Sequence, residues 1–134
     1  MFGPKHVPAM GGAGYRFVDG NYMAFNVGSG KTFTQVNIKK VVNSATLPKR
    51  GGETIVGHAL QKHAGRNPHI WGKVKGGPDK INEMALNHLN EILEAPGYFV
   101  KIKNRKGIEF LEKRLSDGRG VRLNLDGSFK GFID

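Results

Sequence analysis

The apolar pattern of this chain changes its period at Pro96-Gly97, and that change constrains the fold more than any other feature. Before it, residues 54–66 and 78–94 carry apolar side chains at helical spacing, and we expect Thr54 to cap the first helix and Gly65 to end it. After it, four segments alternate apolar and polar residues between turn sequences. These segments are 98–103, 108–115, 120–125 and 128–133. The sequence therefore predicts an α+β fold, with two helices packed on a C-terminal antiparallel four-stranded meander.

The first 52 residues differ in composition from the rest of the chain. A Gly- and Pro-rich stretch is followed by two candidate strands, 15–18 and 22–27, with Asp-Gly-Asn turn chemistry between them. Residues 32–42 fit a strand or a helix. We interpret 1–52 as a small N-terminal extension, 48–52 as a hinge or loop, and 53–134 as the main domain. No signal-peptide core precedes residue 14, so we expect an export signal on a longer parent chain.

The formal net charge of +10 predicts a polyanionic partner, because it attracts nucleic acid at long range. An acidic protein is the other partner that would neutralise it. The chain has no long apolar run, so we expect no stable membrane insertion. It also has no Cys, which excludes disulfides and thiolate zinc sites.

The first predicted helix carries the main candidate chemistry. His58, Lys62 and Arg66 follow one another at intervals of four and form one polar ridge, while His63 lies nearer the apolar side. A neutral imidazole can take the proton of a ribose 2′-hydroxyl, which then attacks the adjacent phosphorus. Cationic side chains stabilise the charge that builds on the phosphoryl oxygens. This chemistry needs no cofactor or metal and leaves a 2′,3′-cyclic phosphate. The alternative is a solvated basic helix face with one core histidine.

The last hairpin supplies a second candidate set. Arg122 alternates away from the apolar face and would reach a phosphate, to which Ser128 would donate a hydrogen bond. Ordinary polar residues on an exposed sheet face are the alternative. Trp71 would stack on an unpaired base or anchor its loop to the core. The residues expected to bind RNA are Arg119, Lys130, Lys73 and Trp71.

Other motifs are incomplete. Gly28–Thr32 resembles the end of a phosphate-binding loop, but Phe25 stands where that pattern requires Gly. A zinc site is also incomplete. No carboxylate in the first predicted helix is spaced to bind zinc together with its histidines, and the chain has no Cys. Glu109 and Glu112 lie three apart on a strand and point to opposite faces, which disfavours a two-metal site. We therefore predict no metal ligands.

Two parts of the sequence resemble a known family. Residues 57–68 and 70–73, and then 117–124 and 126–133, are similar to the C-terminal toxin domains of polymorphic bacterial toxins, in particular contact-dependent growth inhibition (CdiA-type) effectors. The resemblance covers 53–134. It implies a fold of the barnase–EndoU–colicin–RelE (BECR) group of ribonucleases and cleavage of RNA, most commonly tRNA, in the target-cell cytoplasm. It also implies a cognate immunity protein, usually acidic, and delivery on a larger effector.

In that family, the catalytic roles correspond best to His58, Lys62, His63 and Arg66, with Arg122 and Ser128 added from the last strands. Residues 1–52 would then be an extension or a segment involved in import. We predict a metal-independent endoribonuclease toxin, with the need for a target-cell protein cofactor left open. The alternatives are a metal-dependent DNase toxin that uses some of the five histidines, and a non-catalytic nucleic-acid-binding module.

Overall fold

The computed structural model describes residues 14–18, 21–25 and 36–134, and the side chains of 36–134. Its elements, in chain order, are β1 (Gly14–Val18), β2 (Asn21–Phe25), β3 (Val36–Asn37), α1 (Ile38–Ala45), β4 (Pro48–Arg50), β5 (Glu53–Thr54), α2 (Ile55–Arg66), α3 (Pro68–Trp71), α4 (Pro78–Glu94), β6 (Val100–Lys103), β7 (Glu109–Arg114), β8 (Gly120–Asn124) and β9 (Phe129–Ile133).

The N-terminal strands form an antiparallel sheet in the order β1-β2-β3. The two strands predicted near 15–18 and 22–27 are therefore confirmed, with the second ending at Phe25. Residues 32–42 contain a short strand and then a helix. The Gly- and Pro-rich stretch before Gly14, the turn residues 19–20 and the motif Gly28–Thr32 lie outside the described residues.

The expected hinge or loop at 48–52 is instead part of a short β-hairpin, which corrects the sequence interpretation. Strand β4 pairs with β5, and Gly51 and Gly52 join them with φ angles of 62° and 82°. Positive φ is a conformation that glycine adopts without a steric penalty, so two consecutive glycines suit this tight reversal. The hairpin leads directly into α2.

Helix α2 begins as the sequence predicts, since the Thr54 side chain accepts a hydrogen bond from the backbone N–H of Gly57. The predicted range 54–66 is confirmed at its C-terminal end, although Gly65 does not end the helix. The helix continues through Arg66, and the backbone N–H of Asn67 donates to the carbonyl of His63. Helix α4 has the predicted bounds, with Pro78 in the first turn, where its missing N–H costs no hydrogen bond.

The meander β6-β7-β8-β9 is antiparallel throughout, and helices α2 and α4 contact each other and the sheet. This arrangement confirms the α+β prediction. The core between the layers contains large buried side chains, among them Leu60, Trp71, Leu89, Phe99, Leu111 and Leu123. Burial of this apolar surface fixes α2 against β9 and thereby places the polar face of the helix beside the last hairpin.

The boundary at residues 52 and 53 stays a prediction. Val41 and Ala45 of α1 are fully buried in the same hydrophobic cluster as the helices and sheet of 53–134. None of the helices in the described part of the chain has the length and apolar character needed to cross a membrane.

Candidate active site

A groove of about 310 Å³ lies between α2 and the hairpin β8–β9, with Lys49 of β4 also on its wall. The apolar residues Ile55, Ala59 and Phe132 line it together with a set of polar side chains. These are Lys49, His58, Lys62, His63, Arg122 and Lys130. Five of the residues predicted from sequence therefore meet in one groove.

The two histidines lie on opposite sides of the helix face that forms this groove. Successive residues of an α-helix are turned by about 100°, so His58 and His63 diverge by about 140°. Lys62 lies between these two directions. The groove therefore has an imidazole on each side of this helix face and an ammonium group between them.

A carboxylate fixes the ring of His63. Its Nδ1 lies 2.7 Å from Oδ2 of Asp134. The same carboxylate accepts hydrogen bonds from Trp71 Nε1 at 2.8 Å and from Asn67 Nδ2 at 3.1 Å. Burial alone raises the pKa of the Asp134 carboxyl, but the hydrogen bonds from His63, Trp71 and Asn67 and the charge of His63 hold that pKa below its ordinary value. The carboxylate is thus kept ionised beside the imidazole.

His58 has an equivalent carboxylate partner. Its Nδ1 lies 3.1 Å from Oε1 of Glu53, the residue before the helix cap Thr54. In both histidines the contact engages Nδ1 and leaves Nε2 as the nitrogen that can exchange a proton with a substrate. The pair has the arrangement needed for one general base and one general acid.

The carboxylate of Glu112, a residue that is only 8% exposed, orients Arg122. The guanidinium donates from Nε to Oε2 of Glu112 at 2.7 Å, also bonds it through Nη2, and lies over the ring of Phe110. Lys130 also lies over the ring of Phe110, with Nζ 5.1 Å from the ring centroid.

A bulge places Lys130 at the groove. Arg122 pairs with Gly131, whereas the next residue, Leu123, pairs with Phe129, so Lys130 is the extra residue of β9. Bulges of this kind redirect a side chain out of the regular alternation.

Arg66 and Ser128 are not brought to the groove. Arg66 is exposed one turn beyond Lys62, and its Nε donates to the Lys62 carbonyl at 3.4 Å. Ser128 lies in the β8–β9 turn, where its hydroxyl donates to Asp126 Oδ1 at 2.6 Å and accepts from Asn124 Nδ2 at 2.9 Å. The hydroxyl thus stabilises the turn in this structure.

Arg119 lies elsewhere, in a network against α4. It bonds Asp117 and Glu91, and its Nη1 donates to Nδ1 of His88 at 2.9 Å. Burial and the charge of Arg119 lower the pKa of His88, whose Nε2 is 3.0 Å from the carbonyl of Trp71. These contacts fasten the β7–β8 turn to the helix.

Trp71 is buried and therefore unable to stack on a base, which corrects that part of the prediction. It is 2% exposed and therefore has no free ring face, and its indole N–H is used by Asp134. It anchors the loop, the alternative weighed for it from sequence. Lys73 is exposed and lines a second groove with Lys62.

Sequence reasoning missed Lys49, Glu53 and Asp134, and it considered Glu112 only as a metal ligand. None lies in a motif, and Asp134 is 71 positions from His63. Of these residues, only Glu53 offers a local signal. It stands just before the helix cap Thr54, and acidic residues are favoured at helix N-termini. Among the described residues, His, Asp and Glu side chains form no group of three that would hold a metal ion.

Comparisons with known proteins bear on this site. The family model of the CdiA C-terminal tRNase toxin domain matches residues 42–134, a range that includes the whole groove. The chain is also similar to the crystal structure of the toxic C-terminal tip of CdiA from Pseudomonas aeruginosa in complex with immune protein. The two share 63% identity with a TM-score of 0.67, over 69% of this chain and 99% of that one. Among curated proteins, no relative matches.

Proposed function

This chain belongs to the CdiA C-terminal tRNase toxin domain family, and from that premise we propose that its groove cleaves tRNA by attack of a ribose 2′-hydroxyl on the adjacent phosphorus. The observation that carries the proposal is the pair His58 and His63, which line one groove with Nδ1 of each held by a carboxylate.

In the proposed reaction, Nε2 of one histidine takes the proton of the 2′-hydroxyl while its oxygen bonds to phosphorus. The bond from phosphorus to the 5′-oxygen breaks, and the other histidine gives that oxygen a proton. The products are a 2′,3′-cyclic phosphate and a free 5′-hydroxyl. Because the nucleophile belongs to the substrate, DNA would not be cut.

The cations of the groove supply the electrostatic part of catalysis. Negative charge grows on the non-bridging phosphoryl oxygens as the new bond forms, and fixed cations stabilise it most when water is excluded. Lys62 faces the groove from the helix, and Arg122 and Lys130 face it from the hairpin. The contact of Arg122 with Glu112 fixes one side of its guanidinium and leaves Nη1 for the phosphate.

We also propose that a cognate, acidic immunity protein neutralises this domain, as an immune protein accompanies the similar toxic tip from P. aeruginosa. The net charge of +10 suits such a partner. The domain would be delivered at the end of a larger effector and act in the target-cell cytoplasm, with residues 1–52 preceding the nuclease domain of 53–134.

The test is incubation of purified protein with total cellular RNA and excess chelator, with and without a target-cell extract. The wild type should release discrete tRNA fragments with cyclic-phosphate ends. His58→Ala and His63→Ala should each lower the rate by about 10²–10⁴-fold. His69→Ala changes an exposed histidine outside the groove and is the matched control.

Intact tRNA in both conditions would overturn the proposal. Cleavage of DNA that requires added metal would favour the DNase alternative, and salt-sensitive binding without cleavage would favour the binding module.

A further inference from the structure

A second groove, of about 680 Å³, lies on the other side of the ridge that His58 and Lys62 form on α2. We propose that it is a subsite for an unpaired nucleotide that neighbours the cleaved phosphate. This inference rests on the proposed ribonuclease function, because it assigns the second groove to the same RNA strand.

The wall of this groove has an apolar side suited to a base. Pro68 and Val74 line it, and so do Ala64 and Ile81, which belong to the packed surfaces of α2 and α4. A nucleobase presents two apolar faces and a polar edge, and it gains free energy when a face leaves water. An apolar wall next to a ribonuclease site is therefore better matched to a base than to a second phosphate.

The rim of the groove is cationic. Lys73 and Lys75 are exposed there beside Lys62, and none of the described residues that line the groove is acidic. A phosphodiester linked to the bound base would thus meet positive charge without a competing carboxylate. The combination of apolar wall and cationic rim is complementary to one nucleotide.

The second groove shares two wall residues with the catalytic one. His58 and Lys62 line both, so a strand that crosses the ridge keeps contact with the same two side chains. Gly65 carries no side chain on this side, and a Cβ placed on it would meet no atom within 4 Å. The wall of the second groove is therefore unobstructed at this position.

The geometry selects single-stranded RNA. A base that turns over the ridge to reach Val74 has left the stack of its neighbours, and a duplex would have to lose its pairing to do so. Sequence-specific proteins commonly read splayed-out bases of RNA loops in this way. The expected substrate segment is thus a loop of tRNA rather than one of its stems.

The experiment first maps the cut in tRNA and then measures cleavage of a single-stranded oligoribonucleotide that spans it. The oligoribonucleotide is shortened one nucleotide at a time from each end. For the wild type, KM should rise when a particular nucleotide on one side of the cut is removed. In the double variant Lys73→Ala/Lys75→Ala, KM for the full oligoribonucleotide should be raised about tenfold, and removing that nucleotide should have little further effect.

The matched control is Lys101→Ala/Lys103→Ala, which removes the same charge from exposed positions on β6. It should leave KM within about twofold. The subsite would be overturned if shortening the oligoribonucleotide and the change Lys73→Ala/Lys75→Ala raised KM independently of each other. It would also be overturned if the two double variants raised KM equally. In either case the wild type still cuts, so the proposed function would stand. If the wild type cuts neither tRNA nor oligoribonucleotide, both proposals fail together.

Discussion

Nδ1 of His63 and Oδ2 of Asp134 lie 2.7 Å apart, which joins the third turn of α2 to the residue that follows β9. Neither element alone would hold the imidazole ring in one orientation. The carboxylate does so because Trp71 and Asn67 bond to it as well, and because the ring of His63 lies 5.9 Å from that of Trp71. Asp134 is therefore a positioning residue for His63 in the proposed reaction.

The change Asp134→Asn tests this role. It keeps the shape of the side chain but removes the negative charge that orients and stabilises the imidazolium form. We expect kcat for tRNA cleavage to fall by at least about tenfold, with KM little changed, because acid–base catalysis contributes about 10²–10⁴-fold. The pH dependence of kcat should shift as well. Steady-state rates across pH, with thermal unfolding midpoints beside them, provide the measurement.

The control is Asp117→Asn, the same change at a carboxylate that bonds Arg119 and lies outside the groove. It should lower the unfolding midpoint slightly and leave the pH profile in place. If Asp134→Asn lowers only the midpoint and its pH profile coincides with that of the wild type, Asp134 is structural and does not position His63.

Local signals were sufficient for most of the fold. The helical spacing and Pro78 gave both bounds of α4, and Thr54 gave the start of α2. Alternation and turn residues gave the meander. Gly65 does not end α2, because a glycine costs a helix only about 1 kcal/mol, which the packing of the buried helix face easily outweighs.

The site was only partly accessible from sequence. Helical spacing identified His58 and Lys62, since a shared face follows from the 3.6-residue period. The same spacing predicted that Arg66 belongs to the site, but Arg66 lies beyond the end of the groove. The groove ends where the facing hairpin ends, and local sequence rules do not predict that position. Asp134 was missed because its role depends on how α2 packs against β9, a long-range contact.

Two glycines of α2 should respond in opposite ways to the same change. A Cβ on Gly57 would overlap with Oδ1 of Asn82, which accepts hydrogen bonds from both the backbone N–H and the hydroxyl of Thr54. Gly57→Ala should therefore lower the free energy of unfolding by about 1–3 kcal/mol. Gly65→Ala meets no atom and should raise it by about 0.5–1 kcal/mol, because alanine has less conformational freedom to lose.

Urea unfolding at one pH compares the two variants directly. Each variant serves as the control for the other, because both lie in α2, both replace glycine with alanine and both add the same volume. A similar shift of both midpoints in one direction would show that intrinsic helix propensity, not the contact with Asn82, governs this helix.

Lys113 on β7 gives the chain a pH-dependent stability. Its side chain is 1% exposed, and its Nζ donates to the carbonyls of Leu93 and Ala95 at the end of α4. Burial lowers the pKa of this ammonium from 10.5 to about 7. Between these two values the unfolded chain binds more protons than the folded one, so the contribution of Lys113 to stability rises with pH.

The variant Lys113→Met isolates this contribution. The free energy of unfolding of the wild type minus that of the variant should increase between pH 7 and pH 9.5, by up to about 1.4 kcal/mol for each pH unit. Below pH 7 it should level off, because Lys113 is then protonated in both states. Lys103→Met, a change at an exposed lysine of β6, should give a difference that hardly varies over the same range. A flat difference for Lys113→Met would mean that the two carbonyls at the end of α4 hold the ammonium charged in spite of its burial.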